Sequence, residues 1–130
     1  MHRAVLYFAT AIALLLGAGG GASVAVATEL LMVEEKWCHW CEQWNNEVGI
    51  IYHKTEEGKA APLRRIDIHE PLPPDLVLAS RPRYTPTFIL IDNGRELSRI
   101  EGYPGEAFFW GLLDRMLGEV PRPADAALSN

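Results

Sequence analysis

The apolar residues Leu30-Leu31-Met32-Val33 run without a break toward Cys38-His39-Trp40-Cys41, which holds both cysteines of this 130-residue chain. A continuous apolar run of this kind predicts a central strand covered on both faces. Behind the cysteines, Trp44, Val48, Ile51 and Tyr52 recur at three- and four-residue steps, which predicts a helix from Cys41 to about Glu57, with Gly58 as its stop signal. The two thiols therefore stand at a strand-to-helix junction. A bridge across so short a loop adds little stability, because loop-closure entropy falls with loop size. Redox exchange accounts for the pair better than a structural staple does.

The amino terminus sets the compartment in which such a pair would work. Met1-His2-Arg3 is basic, Ala4 to Leu16 is almost wholly apolar, Gly17 to Gly21 breaks the run, and Ala25-Val26-Ala27 carries a small-x-small pattern. Together they predict a cleaved signal peptide over residues 1–27 and a folded part outside the cytoplasm, in the periplasm. The uncharged stretch from Ala4 to Ala27 is also just long enough to span a bilayer if left uncut, so an N-terminal anchor is the competing expectation. Residues 28–120 suffice for one small domain with one core, and 121–130 reads as a short frayed tail. The formal net charge is −5 and the leader's only charge is Arg3, so the exported part is more acidic still. That balance argues against nucleic acid as a partner.

Pro62 to His69 alternates apolar and polar residues around Leu63, Ile66 and Ile68 and predicts a second strand. Pro71, Pro73 and Pro74 punctuate the chain before a short helix expected from Asp75 to Ser80. Thr87-Phe88-Ile89-Leu90-Ile91 is the clearest strand, Asp92-Asn93-Gly94 a hairpin turn, and Glu96 to Glu101 the antiparallel return. After Gly102-Tyr103-Pro104-Gly105, residues Glu106 to Leu117 predict a last helix. The order is β-α-β-α-β-β-α. With a right-handed crossover between the first two strands it gives an α/β fold around a mixed four-stranded sheet.

A Trp-Cys-x-x-Cys after the first core strand, with Thr85-Pro86 opening the third and then a hairpin, a glycine and a final helix, resembles the thioredoxin-fold oxidoreductases over residues 29–118. More narrowly, Ala61-Pro62-Leu63-Arg64-Arg65, Thr85-Pro86-Thr87-Phe88 and the run from Glu101-Gly102-Tyr103-Pro104-Gly105 to Trp110 are similar to the SoxS-type periplasmic thioredoxins that accompany sulfur-oxidation systems. The resemblance implies a minimal thioredoxin-like fold and a thiol-disulfide oxidoreductase with no cofactor beyond the Cys38–Cys41 dithiol. One position departs from the thioredoxin pattern. Where thioredoxin has a buried Asp that helps the second thiol lose its proton, this chain has Met32. Glu34 and Glu35 are the nearest acids and read as solvated strand-end charges, with assistance through water as the alternative.

Helix N-termini carry unpaired N–H groups and a partial positive charge that favour a thiolate. Cys38, at that terminus, is expected to attack, and Cys41, one turn inside, to resolve the mixed disulfide. Lys36 and a protonated His39 would add positive charge beside Cys38, while the plainer reading of His39 is a solvated loop residue. Pro86 is expected to follow a cis peptide, an ordinary trans proline at a strand start being the alternative. The resemblance implies that its loop flanks the sulfurs and offers backbone hydrogen bonds to an extended substrate segment, with Thr85 tuning that contact. Trp37 is expected partly packed beside the thiols, Trp40 exposed as a docking surface, and Trp44 in the core. Phe108, Phe109 and Trp110 read as core plus surface cover.

Two other classes compete. Cys38, His39 and Cys41, with His53 or His69, offer thiolate and imidazole to zinc or copper(I). A closed tetrahedral site draws on a second cluster, which the sequence lacks, and haem attachment needs His where Glu42 stands, so no metal ligand is assigned. A non-catalytic regulatory module sits poorly with an intact Cys-x-x-Cys and Thr-Pro. The expected partners are a client protein with a cysteine or disulfide and, by the resemblance, a membrane thiol-reductant donor, with the chain itself a monomer. Residues 28–120 leave no room for the helical insertion of DsbA-type oxidants or the dimerisation domain of isomerases, which favours a reductant.

Overall fold

The apolar run becomes the centre of a sheet. In this computed structural model, which describes residues 28–122, β1 (Thr28–Glu34) lies between β2 (Leu63–Asp67), parallel to it, and β3 (Thr87–Asp92), antiparallel to it. β4 (Arg95–Glu101) pairs antiparallel with β3, giving the order β2-β1-β3-β4. Helices α1 (His39–Trp44), α2 (Ile50–Tyr52) and α3 (Glu56–Ala60) fill the crossover from β1 to β2, and α4 (Glu106–Leu117) follows the hairpin. The expected leader, and the tail beyond Arg122, lie outside the described residues.

Side chains alternate across the strands, so the sheet has two apolar faces. On one, Leu30, Met32, Phe88, Leu90 and Ile100 meet Val48, Tyr52, Phe109, Leu113 and Met116 from the helices. Trp44 sits among them fully buried, its ring 5.1 Å from Phe88, 5.7 Å from Phe109 and 6.0 Å from Tyr52. On the other face Leu31, Val33, Ile89 and Ile91 are covered by Leu76, Ile66, Ile68 and Leu78.

That second cover is not the helix expected from Asp75 to Ser80. Val77 instead bridges to Arg95, donating its N–H to the Gly94 carbonyl (2.7 Å) and accepting from the Glu96 N–H (3.0 Å). The chain turns back at Asn93 (φ 48°) and Gly94 (φ 79°), as the Asp-Asn-Gly signal implies. A Cβ on Gly94 would fall 2.6 Å from the Asp75 carbonyl oxygen, so the strap and the hairpin fit together only with glycine there.

The long helix expected from Cys41 to Glu57 is divided as well. α1 opens into a π-turn over Asn45–Gly49, continues as α2, and ends at His53. Thr55 restarts it as α3: its Oγ1 donates to the Tyr52 carbonyl (2.7 Å) and accepts from the Gly58 N–H (3.0 Å), an N-cap. Gly58, expected to stop the helix, lies inside α3. β2 ends at Asp67 rather than His69, while β1, β3, β4 and α4 fall close to their expected bounds.

Candidate active site

β1 delivers the chain to the turn Lys36–Trp37, and Cys38 then caps α1 from an extended conformation (φ −79°, ψ 102°). Its Sγ accepts a hydrogen bond from the Cys41 N–H at 3.1 Å, one of the N–H groups a helix start leaves unpaired. The two sulfurs are bonded to each other, with 5.2 Å between the Cα atoms. Cys41 is 4% exposed and belongs to the core, whereas Cys38 is only half-buried. Cys38 is the more exposed residue of the bridge and the one at the helix N-terminus, a position that favours negative charge.

The second wall comes from the start of β3. The Thr85–Pro86 peptide is cis. Val33 pairs with Thr87 in the β1–β3 ladder, so the motif loop and the cis-proline loop leave the same end of the sheet. Thr85 Oγ1 donates to Glu35 Oε1 (2.6 Å), and Glu35 Oε2 meets His69 Nε2 (2.8 Å). The Thr85 hydroxyl first, and His69 after it, hold the Glu35 carboxyl below the usual carboxylate range. Glu35 is thus a clamp between the two loops rather than a free strand-end charge. Glu34 is engaged too, by Arg65 at 2.7 Å.

Met32 is fully buried, and its register partner on β2 is Arg65. The guanidinium places Nη1 3.4 Å from Met32 Sδ and donates from Nη2 to Asn45 Oδ1 at 2.7 Å, 5.7 Å over the Trp44 ring. Asn45 in turn donates its backbone N–H to the Cys41 carbonyl. Where thioredoxin keeps an acid, this chain therefore has a thioether covered by an arginine. Sequence reasoning missed Arg65 and undervalued Glu35, because both act across strands far apart in the chain.

The tryptophans divide sharply. Trp37, expected partly packed, is 100% exposed, because it occupies a left-handed conformation (φ 64°) in the turn before Cys38. Trp40 is half-exposed and meets the His39 ring edge-on at 5.1 Å. Phe108 is exposed, Phe109 is buried, and Trp110 stacks on Tyr52. His53 lies exposed at the end of α2, and His69 is held by Glu35, so neither joins the cysteines. Among the described residues no group of three His, Cys, Asp or Glu side chains is placed to hold a metal ion.

The segment leading into the cis-proline is fixed from beneath. A bulge in the β3–β4 ladder, between Leu90 and Ile91, puts Glu96 and Arg99 on one face of β4, which strict alternation would forbid. Arg99 grips Glu96 with two bonds of 2.6 Å. Glu96 Oε2 accepts from the Ala79 N–H (2.8 Å), and Arg99 donates to the Ser80 carbonyl (2.9 Å). Burial alone would raise the Glu96 carboxyl, but Arg99 and the Ala79 N–H leave it below its ordinary value.

Chemistry of this kind, carried on this topology, is that of the thiol-disulfide oxidoreductases with a thioredoxin fold. Comparison with solved structures narrows the class. The periplasmic thioredoxin SoxS from Paracoccus pantotrophus, in its reduced form, is 45% identical, with a TM-score of 0.71 over 72% of this chain and 99% of that one. The chain belongs to that thioredoxin family. Thioredoxin from Malassezia sympodialis, 17% identical with a TM-score of 0.50 over 70% of this chain and 76% of that one, shares the fold. No family model and no curated protein matches the chain. Among the described residues no helix is long and apolar enough to cross a membrane.

Proposed function

We propose that this chain is an exported, periplasmic disulfide reductase that keeps a cysteine of a partner protein reduced, the partner being a component of a sulfur-oxidation system. The 45% identity to a periplasmic thioredoxin supports the compartment, together with the signal pattern of residues 1–27. The asymmetry of the two sulfurs carries the chemistry: Cys38 half-exposed at the helix start, Cys41 4% exposed behind it.

In the reduced protein the Cys38 thiolate attacks one sulfur of the client's disulfide. That bond breaks, the far sulfur leaves as a thiolate and takes up a proton, and a mixed disulfide joins Cys38 to the client. Cys41, deprotonated, then attacks Cys38 Sγ, the client's second sulfur leaves, and the Cys38–Cys41 bond is restored. Two electrons have passed to the client, and both came from this pair of sulfurs, so no further cofactor enters. Return to the dithiol draws on a second thiol donor, which we place in the membrane. The chain acts as a monomer.

Equilibration with glutathione measures the potential of the pair. A value near about −270 mV is expected for a reductant, and one near about −120 mV overturns the direction. Replacing Cys41→Ala removes the resolving thiol, so clients should accumulate on Cys38 as mixed disulfides that reductant releases; their absence counts against exchange with a protein client.

A further inference from the structure

Some cations of this acidic chain are spent internally: Lys59, Arg64, Arg65 and Arg99 are each paired with carboxylates. Lys36, Arg81 and Arg83 flank the two loops of the site. All three are exposed, and none takes part in an ion pair among the described residues. Lys36 precedes Trp37-Cys38, Arg81 and Arg83 lie on the segment that enters the cis-proline, and the Thr85–Glu35 bond ties that segment to the residue before Lys36.

The loop bearing the two arginines is anchored on both sides. Ala79 and Ser80 are bonded to Glu96 and Arg99 before it, and Thr85 to Glu35 after it, with the Tyr84 carbonyl accepting from Thr87 Oγ1 at 2.7 Å. Arg81 to Tyr84 are therefore presented between fixed points, which lowers the ordering entropy that binding must overcome. Of the nearby acids, Glu34 is engaged by Arg65 and Glu35 by Thr85 and His69. Asp67 and Glu70 share a small depression with Arg81 but form no ion pair with it. Across the disulfide the rim has the opposite sign, since Glu42 and Glu47 line a hollow on the outer side of α1 with His39. Exposed Trp37, Trp40 and Tyr84 supply apolar area between the two.

We infer that the client docks through an extended acidic segment next to its reactive sulfur, with carboxylates on Lys36, Arg81 and Arg83 and its backbone along the cis-proline loop. This rests on the disulfide-exchange reading above. It adds a chemical class of recognition sequence and a direction, because the acidic rim beyond Cys41 repels the same segment.

Three short peptides test it, each with a central cysteine in mixed disulfide with thionitrobenzoate and flanked by Glu, Lys or Gln. The reduced full chain releases the coloured thiolate, and the readout is the ratio of rates. At low ionic strength the Glu peptide should react about tenfold faster than the Lys peptide, with Gln between them, and 1 M salt should bring the ratio to within about twofold. Arg81→Gln combined with Arg83→Gln should collapse the ratio at low salt, and both residues are exposed and unpaired, so the fold survives the change. Equal rates, a faster Lys peptide, or a ratio unchanged in the double variant overturns acidic docking while leaving the reductase intact. Failure to reduce any of the three peptides overturns the exchange reading itself.

Discussion

Glu35 is the residue on which both walls of the site depend, and its effect can be read by titration. Its folded-state value lies below the ordinary carboxylate range, so its bonds to Thr85 and His69 support the native site fully above that range and fade as pH falls through the lowered value. Thr85→Val removes the largest cause, and the Glu35 resonance followed by NMR against pH should then titrate closer to about 4.3. A Glu35 midpoint unmoved by that change would show the hydroxyl to be idle. Met32 makes the complementary case. Met32→Leu conserves volume, so it should lower stability by about 1 kcal/mol in denaturant melts and leave exchange rates unchanged, as befits a position with no proton to give. At this scale the sequence was uneven. The Cys38–Cys41 pair was legible from its spacing, and the cis bond before Pro86 from an X-Pro opening a strand. Trp37 was not, since its exposure follows from one left-handed backbone angle that no pattern encodes. Glu35 and Arg65 were not, since their partners lie dozens of residues away.

Elements with a strong period were read correctly, and the exceptions share a cause. β1 and β3 bury two apolar faces and α4 buries one, so their hydrophobic pattern specifies both type and extent, while β4 is announced by the Asp92-Asn93-Gly94 turn before it. The segment from Asp75 to Ser80 buries only Leu76 and Leu78, too short a pattern to specify its type, and tertiary bonds decide it: Arg64 grips Asp75 with bonds of 2.7 and 3.0 Å, and β4 captures Val77, Ala79 and Ser80. Removing the hub of that capture, Glu96→Ala, leaves Arg99 half-buried without its carboxylate. It should destabilise the chain by about 3 kcal/mol in denaturant melts. The restart at α3 offers a graded pair. Thr55→Ala, which loses the N-cap, should cost about 1 kcal/mol. Gly58→Ala, whose Cβ would stand 1.9 Å from the Tyr52 carbonyl oxygen, should cost at least about 2 kcal/mol.

For the molecule as a whole, oxidation state and stability are linked. A loop closed over so few residues removes only about 2 kcal/mol of unfolded-state entropy, so both forms should remain folded. In a reductant the oxidised form is the more stable one, by up to roughly 10 °C in Tm. A DsbA-like oxidant would show the reverse order, with the reduced form melting higher. The four tryptophans, finally, lie at graded depths: Trp44 sealed in the aromatic cluster, Trp110 partly covered, Trp40 half-exposed and Trp37 wholly in water. Light can therefore sort them. A client seated over Cys38 strips water from the outer indoles alone, so emission should shift to the blue and acrylamide quenching should fall. The buried indole contributes an unchanging background, and the encounter can be timed without attaching any label.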